Sequence, residues 1–284
     1  MRNIRLTLAY DGTDFHGWAL QPNRPTIQGT LVEVASRLTG ERVFLLGAGR
    51  TDAGVHALGQ TASFKTQAGL TTEEFLRAFN ALLPSSIRVL RCEEESPDFQ
   101  PRWNALAKIY QYRIYRGRIM PPFDQRYVLH YPFPLDEAAM SRAAGLFVGT
   151  HDFTAFAAST AGEEAGKQKE PVREILSAEI ARVARGNIWS RTFAAIPAAG
   201  EAQVSGSGGE ELVFTVRGRS FLRFMVRKMT GTLLEIGRGR LAPEDIPRLF
   251  ESRDRTAAGP TVPPQGLFLV EVEYPDRWSV KSGE

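Results

Sequence analysis

Between Asn3 and Val89 the strand and helix signals come in one order, strand-helix-strand-strand-helix-strand, and no other feature limits the possible folds so sharply. Ile4, Leu6, Leu8 and Tyr10 alternate with polar partners over residues 3–10, the period of a half-buried strand. A Gly/Pro/Asn-rich loop runs to Pro25. Thr26 then caps a helix whose apolar stripe is Ile27, Leu31, Val34, Ala35 and Leu38, with Gly40 as its stop. Val43–Leu46 is a short apolar strand, and Gln60–Lys65 alternates around Ala62 and Phe64. Thr71 and Glu74 have the spacing of a capping box for a helix carrying Phe75, Phe79 and Leu82. Pro84 ends that helix, and Ile87 and Val89 begin a strand. The order is that of a ferredoxin-like split unit, an antiparallel sheet with helices on one face.

The segment Ser96–Arg102 has the composition of a linker. Beyond it the same order recurs: a strand at Ala107–Tyr115, a helix over 135–147, strands at Val172–Arg185 and Leu212–Val216, a helix over 220–236 and a strand at Leu267–Tyr274. Ala161–Lys169 and Pro197–Glu210 are small and polar, as loops are, and a short extra helix is expected near Glu244–Phe250. The expected fold class is α+β, two similar βαββαβ halves forming a largely antiparallel sheet. An N-terminal half over 1–104 and a C-terminal half over 105–284 follow from that division, with a cleft for the ligand between them.

Composition excludes several classes. No apolar run approaches the length needed to span a membrane. Met1–Leu8 alternates like a strand and lacks the apolar block of a signal peptide. A single cysteine, Cys92, rules out an internal disulfide and a four-thiolate metal site, so a reducing cytoplasm is the expected location. The net charge is only +3, which solubility explains as well as nucleic-acid binding does.

Gly47–Ala57 packs three glycines, Arg50 and Asp52 into a stretch too broken for a regular helix or strand. Charged groups on such loops are where binding and catalysis concentrate, and an arginine two residues from a carboxylate favours its ionised form. Asp11, Asp14 and His16, or His56 after Asp52, lack a recognised metal-ligand spacing. A second carboxylate to serve glycoside hydrolysis is not evident. Neither a Gly-x-x-x-x-Gly-Lys-Ser/Thr phosphate loop nor a Gly-x-Ser-x-Gly elbow occurs. Tyr110 and Tyr112 alternate on one strand and suit either core packing or base stacking. Arg219, Arg223 and Arg227 recur every four residues on the helix expected from Ser220. They suit either a solvated basic face or bidentate phosphate contact.

Six separated blocks together resemble the tRNA pseudouridine synthases of the A class. Tyr10-Asp11-Gly12-Thr13-Asp14-Phe15-His16-Gly17-Trp18 is similar to the opening block of that family. Gly49-Arg50-Thr51-Asp52-Ala53-Gly54-Val55-His56-Ala57 resembles its catalytic block almost letter for letter. Lys108-Ile109-Tyr110-Gln111-Tyr112 and Gly149-Thr150-His151-Asp152-Phe153-Thr154 resemble the middle blocks. Ser220–Arg227 and Pro264-Gln265-Gly266-Leu267 resemble the late ones.

The resemblance implies isomerisation of uridine to pseudouridine at positions 38, 39 and 40 in the anticodon stem-loop of tRNA. It implies no cofactor and no metal, and a homodimer with one tRNA spanning both subunits. Asp52 is implied as the catalytic carboxylate, acting as nucleophile or base. Arg50 would help displace the target base, Tyr110 would stack on the uracil, Arg227 would pair with Asp52, and Leu267 would form part of the apolar wall. Arg219 and Arg223 gain RNA phosphates as partners. Ala19, Gln100-Pro101 and Phe224 depart from the family pattern outside the catalytic block. A non-catalytic RNA-binding module of similar fold is the alternative, and a hydrolase that releases uracil is a third reading. The intact Arg50-Thr51-Asp52 block, which a binder does not need, separates the first from the second.

Overall fold

The structure, a computed structural model, describes residues 1–158, 170–183 and 211–276. The segments 161–169 and 197–210, expected as loops, and the end of the 172–185 strand lie outside the described residues. The chain forms two compact units, 1–108 with 268–284 and 109–267. Its class is α+β, and the strand pairings within each unit are mostly antiparallel.

The first unit has β1 (Arg2–Tyr10), α1 (Ile27–Thr39), β2 (Leu45–Gly47), β3 (His56–Thr66), α2 (Thr72–Leu82) and β4 (Ile87–Glu95) in the expected order. Its sheet runs β4-β1-β3, and β2 pairs antiparallel with the outer edge of β3 at Leu45↔Phe64. The other end of that edge takes β10 (Leu267–Glu273) in parallel, at Phe268↔His56 and Leu269↔Ala57. Local chemistry accounts for both helices. Thr26 accepts from the Gly29 N–H at the start of α1, and Gly40 ends it in the left-handed region. On α2, Thr71 and Glu74 form the reciprocal capping box. Phe75 and Phe79 are buried from α2 against Phe64 of β3, with ring centroids 5.8 and 6.1 Å from it. Burying each such ring contributes roughly 1.5–3 kcal/mol.

Three expectations change here. Leu83 rather than Leu82 completes the buried stripe of α2, because the chain leaves the helix at Leu83 and turns it inward. His56 and Ala57 belong to β3, not to the broken loop, because the distant strand β10 pairs with them. Ser96–Arg102 does not link anything loosely. The Asn3 side chain donates to the Ser96 and Phe99 carbonyls, and Phe99 is buried against Tyr274, 5.3 Å between rings. The Arg5 guanidinium lies over both rings and pairs with Glu95 at 3.0 Å.

The second unit contains β5 (Ala107–Tyr115), which begins in the first, then β6 (Leu129–His130), α3 (Glu137–Gly145), β7 (Gly149–Asp152), β8 (Val172–Val183), β9 (Glu211–Gly218), α4 (Met225–Gly237) and α5 (Asp245–Ser252). The strand order is β5-β9-β8-β7, with β6 parallel to β5. Met225, Met229, Leu233 and Ile236 of α4 and Met140 of α3 are fully or almost fully buried. Phe147, Phe153, Phe156 and Phe250 make a ring cluster beside them. No helix of the described residues is long and apolar enough to cross a membrane.

Candidate active site

The catalytic-block residues from Ala48 to Val55 span the gap between β2 and β3, and the opening block of the chain holds them in place. Ala48 N–H donates to Thr61 O of β3 at 2.8 Å, and Trp18 N–H donates to Thr51 O at 3.0 Å. Gly54 N–H reaches Phe15 O at 3.3 Å. Val55 N–H donates to Asp52 O at 3.1 Å and closes a turn. Gly54 sits at positive φ in that turn, a conformation open to glycine and costly for most other residues. Within this turn Thr51 is buried, Asp52 is half-buried, and Arg50 and Ala53 are exposed.

Side chains complete the clamp. Tyr10 Oη and Thr51 Oγ1 share a buried hydrogen bond of 2.9 Å. Gln60 Nε2 donates to Gly49 O at 2.9 Å and lies 3.5 Å from Tyr10 Oη. Burial pushes the Tyr10 phenol up to about 12, so it stays neutral at physiological pH. His56 is buried, stacks on Phe268 at 4.8 Å, accepts from the Gly12 N–H at 3.1 Å, and has an Asp11 carboxylate oxygen 3.2 Å from the same nitrogen. Two glycines of the opening block are required by contact. A Cβ on Gly12 would lie 2.0 Å from Val55 O, and one on Gly17, where φ is +88°, would lie 2.7 Å from Thr51 O. Gly47 is small for a different reason from ligand approach: the Trp18 ring occupies the place of its Cβ. Sequence reasoning named none of Tyr10, Gly12, Gly17 or Gln60 as supports. Gln60 carried a readable signal, since it is in phase with the inward-facing Ala62 and Phe64, where a polar group needs a partner.

Tyr110, Leu267, Arg219, Arg223 and Arg227 lie in the second unit, and Asp52 and Arg50 in the first. Tyr110 is buried with its ring edge-on to Phe221, 4.9 Å between centroids. Tyr112 Oη donates to Pro263 O at 2.7 Å, and the Tyr112 ring fills the space a Cβ on Gly266 would need. That contact seats the Pro264–Gly266 turn from which buried Leu267 enters β10. Burial raises the Tyr112 phenol above its ordinary value, so it is a donor and not a base.

The arginine face on a helix from Ser220 is corrected. The helix begins only at Met225, and Phe224 before it sits in the left-handed region, which interrupts helical hydrogen bonding. Upstream, Arg219 N–H donates to Glu174 O at 3.2 Å, and Arg223 O accepts from Ala158 N–H at 2.9 Å, so the backbone is committed to neighbouring segments. The three arginines consequently have different surroundings. Exposed Arg219 pairs with Glu174. Arg223 and Arg227 both lie over the Phe224 ring, 4.7 and 4.9 Å from its centroid. Arg227, half-buried, also donates from Nε to Val262 O at 2.8 Å. Among the described residues no three His, Cys, Asp or Glu side chains gather as a metal-binding group.

A family profile described as tRNA pseudouridine synthase matches residues 7–104 and 143–275. The chain is 44% identical over 274 residues to tRNA pseudouridine synthase A of Solibacter usitatus, covering 96% of this chain and 100% of that one. It is 41% identical over 274 residues to the protein of the same name from Caldicellulosiruptor bescii, with the same two coverages, 96% and 100%. It is 42% identical over 273 residues to the one from Moorella thermoacetica, covering 95% of this chain and 99% of the relative.

Proposed function

The chain belongs to the tRNA pseudouridine synthase family, isomerases acting on tRNA uridines, and from that premise we propose that its targets are uridines 38, 39 and 40 of the anticodon stem-loop. Asp52 is the catalytic carboxylate of this reading. The observation that carries it is the clamp: a half-buried aspartate on a turn held by Tyr10, Trp18, Gln60 and the close-packed Gly12 and Gly17. Catalytic groups must be held within a fraction of an ångström by their surroundings, and the turn that carries Asp52 has supports of that kind.

The reaction breaks the N1–C1′ bond of uridine, rotates the uracil, and joins C5 to C1′ while C5 gives up its proton and N1 gains one. Atoms and electrons balance within the substrate, so no co-reactant is needed. Asp52 serves as nucleophile or as base in that sequence. Arg50, exposed and next to Thr51, helps displace the target base from its stack, a step that costs a few kcal/mol. Tyr110 stacks on the extruded uracil, Leu267 belongs to the apolar wall that keeps water from the intermediate, and Arg227 supplies the fixed cation of the site. Arg219 and Arg223 contact RNA phosphates. In this reading the N-terminal half carries the aspartate, the C-terminal half carries the tyrosine and the arginines, and the working form is a cytoplasmic homodimer.

The test is site-mapping of pseudouridine in tRNA that lacks it, incubated with the purified protein alone. Pseudouridine at 38, 39 or 40 is expected. Modification at other positions would overturn the assignment of the anticodon stem-loop, and an abasic product of lower mass would point to a hydrolase.

A further inference from the structure

Gly231 stands in the interior of α4, where glycine weakens a helix, and contact with a distant backbone accounts for it. A Cβ on Gly231 would lie 1.8 Å from Pro260 O, and one on Gly259 would lie 2.5 Å from Gly231 C and Thr232 N. The 259–263 segment therefore meets α4 backbone against backbone. Thr232, fully buried, fastens it there: its Oγ1 donates to Lys228 O at 2.9 Å and accepts from the Gly259 N–H at 3.0 Å. About one turn upstream on the helix, the same segment meets Arg227. Arg227 Nε donates to Val262 O at 2.8 Å, and Val262 N–H reaches Arg227 O at 3.4 Å. The Phe224 ring centroid lies 4.9 Å from the same guanidinium. Arg227 is thus held by a carbonyl on the segment that the Thr232–Gly259 bond secures.

We propose that Thr232 is a positioning residue for the isomerisation: its hydroxyl fixes the 259–263 segment, which aims the Arg227 guanidinium through Val262 O. The proposal rests on the role given to Arg227 above. A threonine inside a helix can return its hydroxyl proton to the carbonyl one turn back, which leaves the oxygen free to accept from an outside donor. Here that donor is the Gly259 N–H, which is buried and has the hydroxyl as its acceptor. Valine has the shape of threonine without the hydroxyl, so Thr232→Val leaves the N–H buried and unbonded unless the segment shifts. Gly231 and Gly259 leave no room for a closer approach, so the shift is away from the helix and carries Val262 O with it. A guanidinium bonded through Nε turns with its acceptor, and misplacing an orienting group by about 1 Å costs on the order of 10²-fold in rate. Thr232, fully buried, acts through Arg227 and not on the RNA itself.

The experiment is single-turnover kinetics of the full-length protein on tRNA that lacks pseudouridine, run across enzyme concentrations. It separates the rate constant at saturation from the concentration that gives half of it. Wild type, Thr232→Val, Thr232→Ser, Arg227→Ala, Arg227→Lys and the double variant Arg227→Lys/Thr232→Val are compared, with thermal unfolding as the fold control. Thr232→Val is expected to lower the saturating rate at least ~tenfold and to move half-saturation by less than about twofold. Thr232→Ser keeps the hydroxyl and is expected to stay within about threefold of the wild-type rate. Arg227→Lys keeps the charge but lacks the Nε bond, so adding Thr232→Val to it is expected to cost less than about twofold more, since changes acting through one group do not add. A wild-type rate in Thr232→Val, a Thr232→Ser as slow as Thr232→Val, or the full loss repeated on top of Arg227→Lys overturns the proposal. If Thr232→Val does not melt cooperatively, Thr232→Ala is read in its place, because it removes the hydroxyl and suits a helix better. A wild-type rate in Arg227→Ala sinks the role given to Arg227 and this proposal with it. A slow Arg227→Ala beside a wild-type rate in Thr232→Val leaves that role standing and sinks the proposal alone.

Discussion

At the scale of single residues, what distinguishes Asp52 is less its own chemistry than what stands behind it. Its backbone meets Gly17, whose φ of +88° and missing Cβ let Thr51 O and Asp52 come within contact. Gly17→Ala is expected to cost about 1–3 kcal/mol in stability from strain at that φ, and to lower kcat at least ~tenfold by shifting the turn. Denaturant unfolding and single-turnover kinetics check the two effects, and full activity in that variant would show that the clamp is not needed. Phe224 offers a second case. Its ring lies under the guanidiniums of both Arg223 and Arg227, close enough for its face to attract each cation. Phe224→Leu is expected to reduce kcat several-fold with little change in melting temperature, and Phe224→Tyr to restore it. Equal activity of the Leu and Tyr variants would deny the ring a positioning role.

At the scale of elements, the sequence was readable wherever the determinants were local. Thr26 with Gly40, and Thr71 with Glu74, marked the limits of α1 and α2 because caps act within a few residues. The start of α4 was unreadable for the opposite reason. The four-residue spacing of Arg219, Arg223 and Arg227 continues a helical period upstream, while Phe224 and the bonds to Glu174 and Ala158 come from tertiary neighbours. His56 in β3 was hidden likewise by its pairing with Phe268, far along the chain. Asp52, Arg50 and Tyr110 are candidates that the block pattern proposes, whereas the Tyr10–Thr51–Gln60 clamp exists only once β1 and β3 lie side by side. The capping box gives a control. Glu74 accepts from the Thr71 backbone and hydroxyl, which holds its carboxyl below the ordinary range. Its stabilisation is present at neutral pH and lost as pH falls through that lowered value. Glu74→Gln should therefore be less stable than wild type at pH 7, with the gap closing as pH falls through the lowered value, and pseudouridine formation unaffected. A stability gap independent of pH would contradict this role of the carboxylate in the cap.

At the scale of the molecule, the last strand ties the chain together. Although β10 follows every element of the second unit, it pairs with β3, and Phe268 covers the buried His56 directly after the aspartate turn. Removing residues 267–284 deletes Phe268 and Leu269 from that core. The loss is about 2–5 kcal/mol for each large side chain. Such a truncation is expected to leave the first unit unfolded by circular dichroism, and a cooperative native-like melt would contradict the dependence on β10. The proposed homodimer predicts a sedimentation mass twice that of the 31.5 kDa chain, with a monomer at micromolar concentration as the opposing result. Whether the clamped carboxylate performs the isomerisation is read most directly from Asp52→Asn, with product yield and tRNA affinity measured on the same preparation. No detectable pseudouridine is expected, with an affinity within a few-fold of wild type; undiminished product from Asp52→Asn would contradict the catalytic role of that carboxylate.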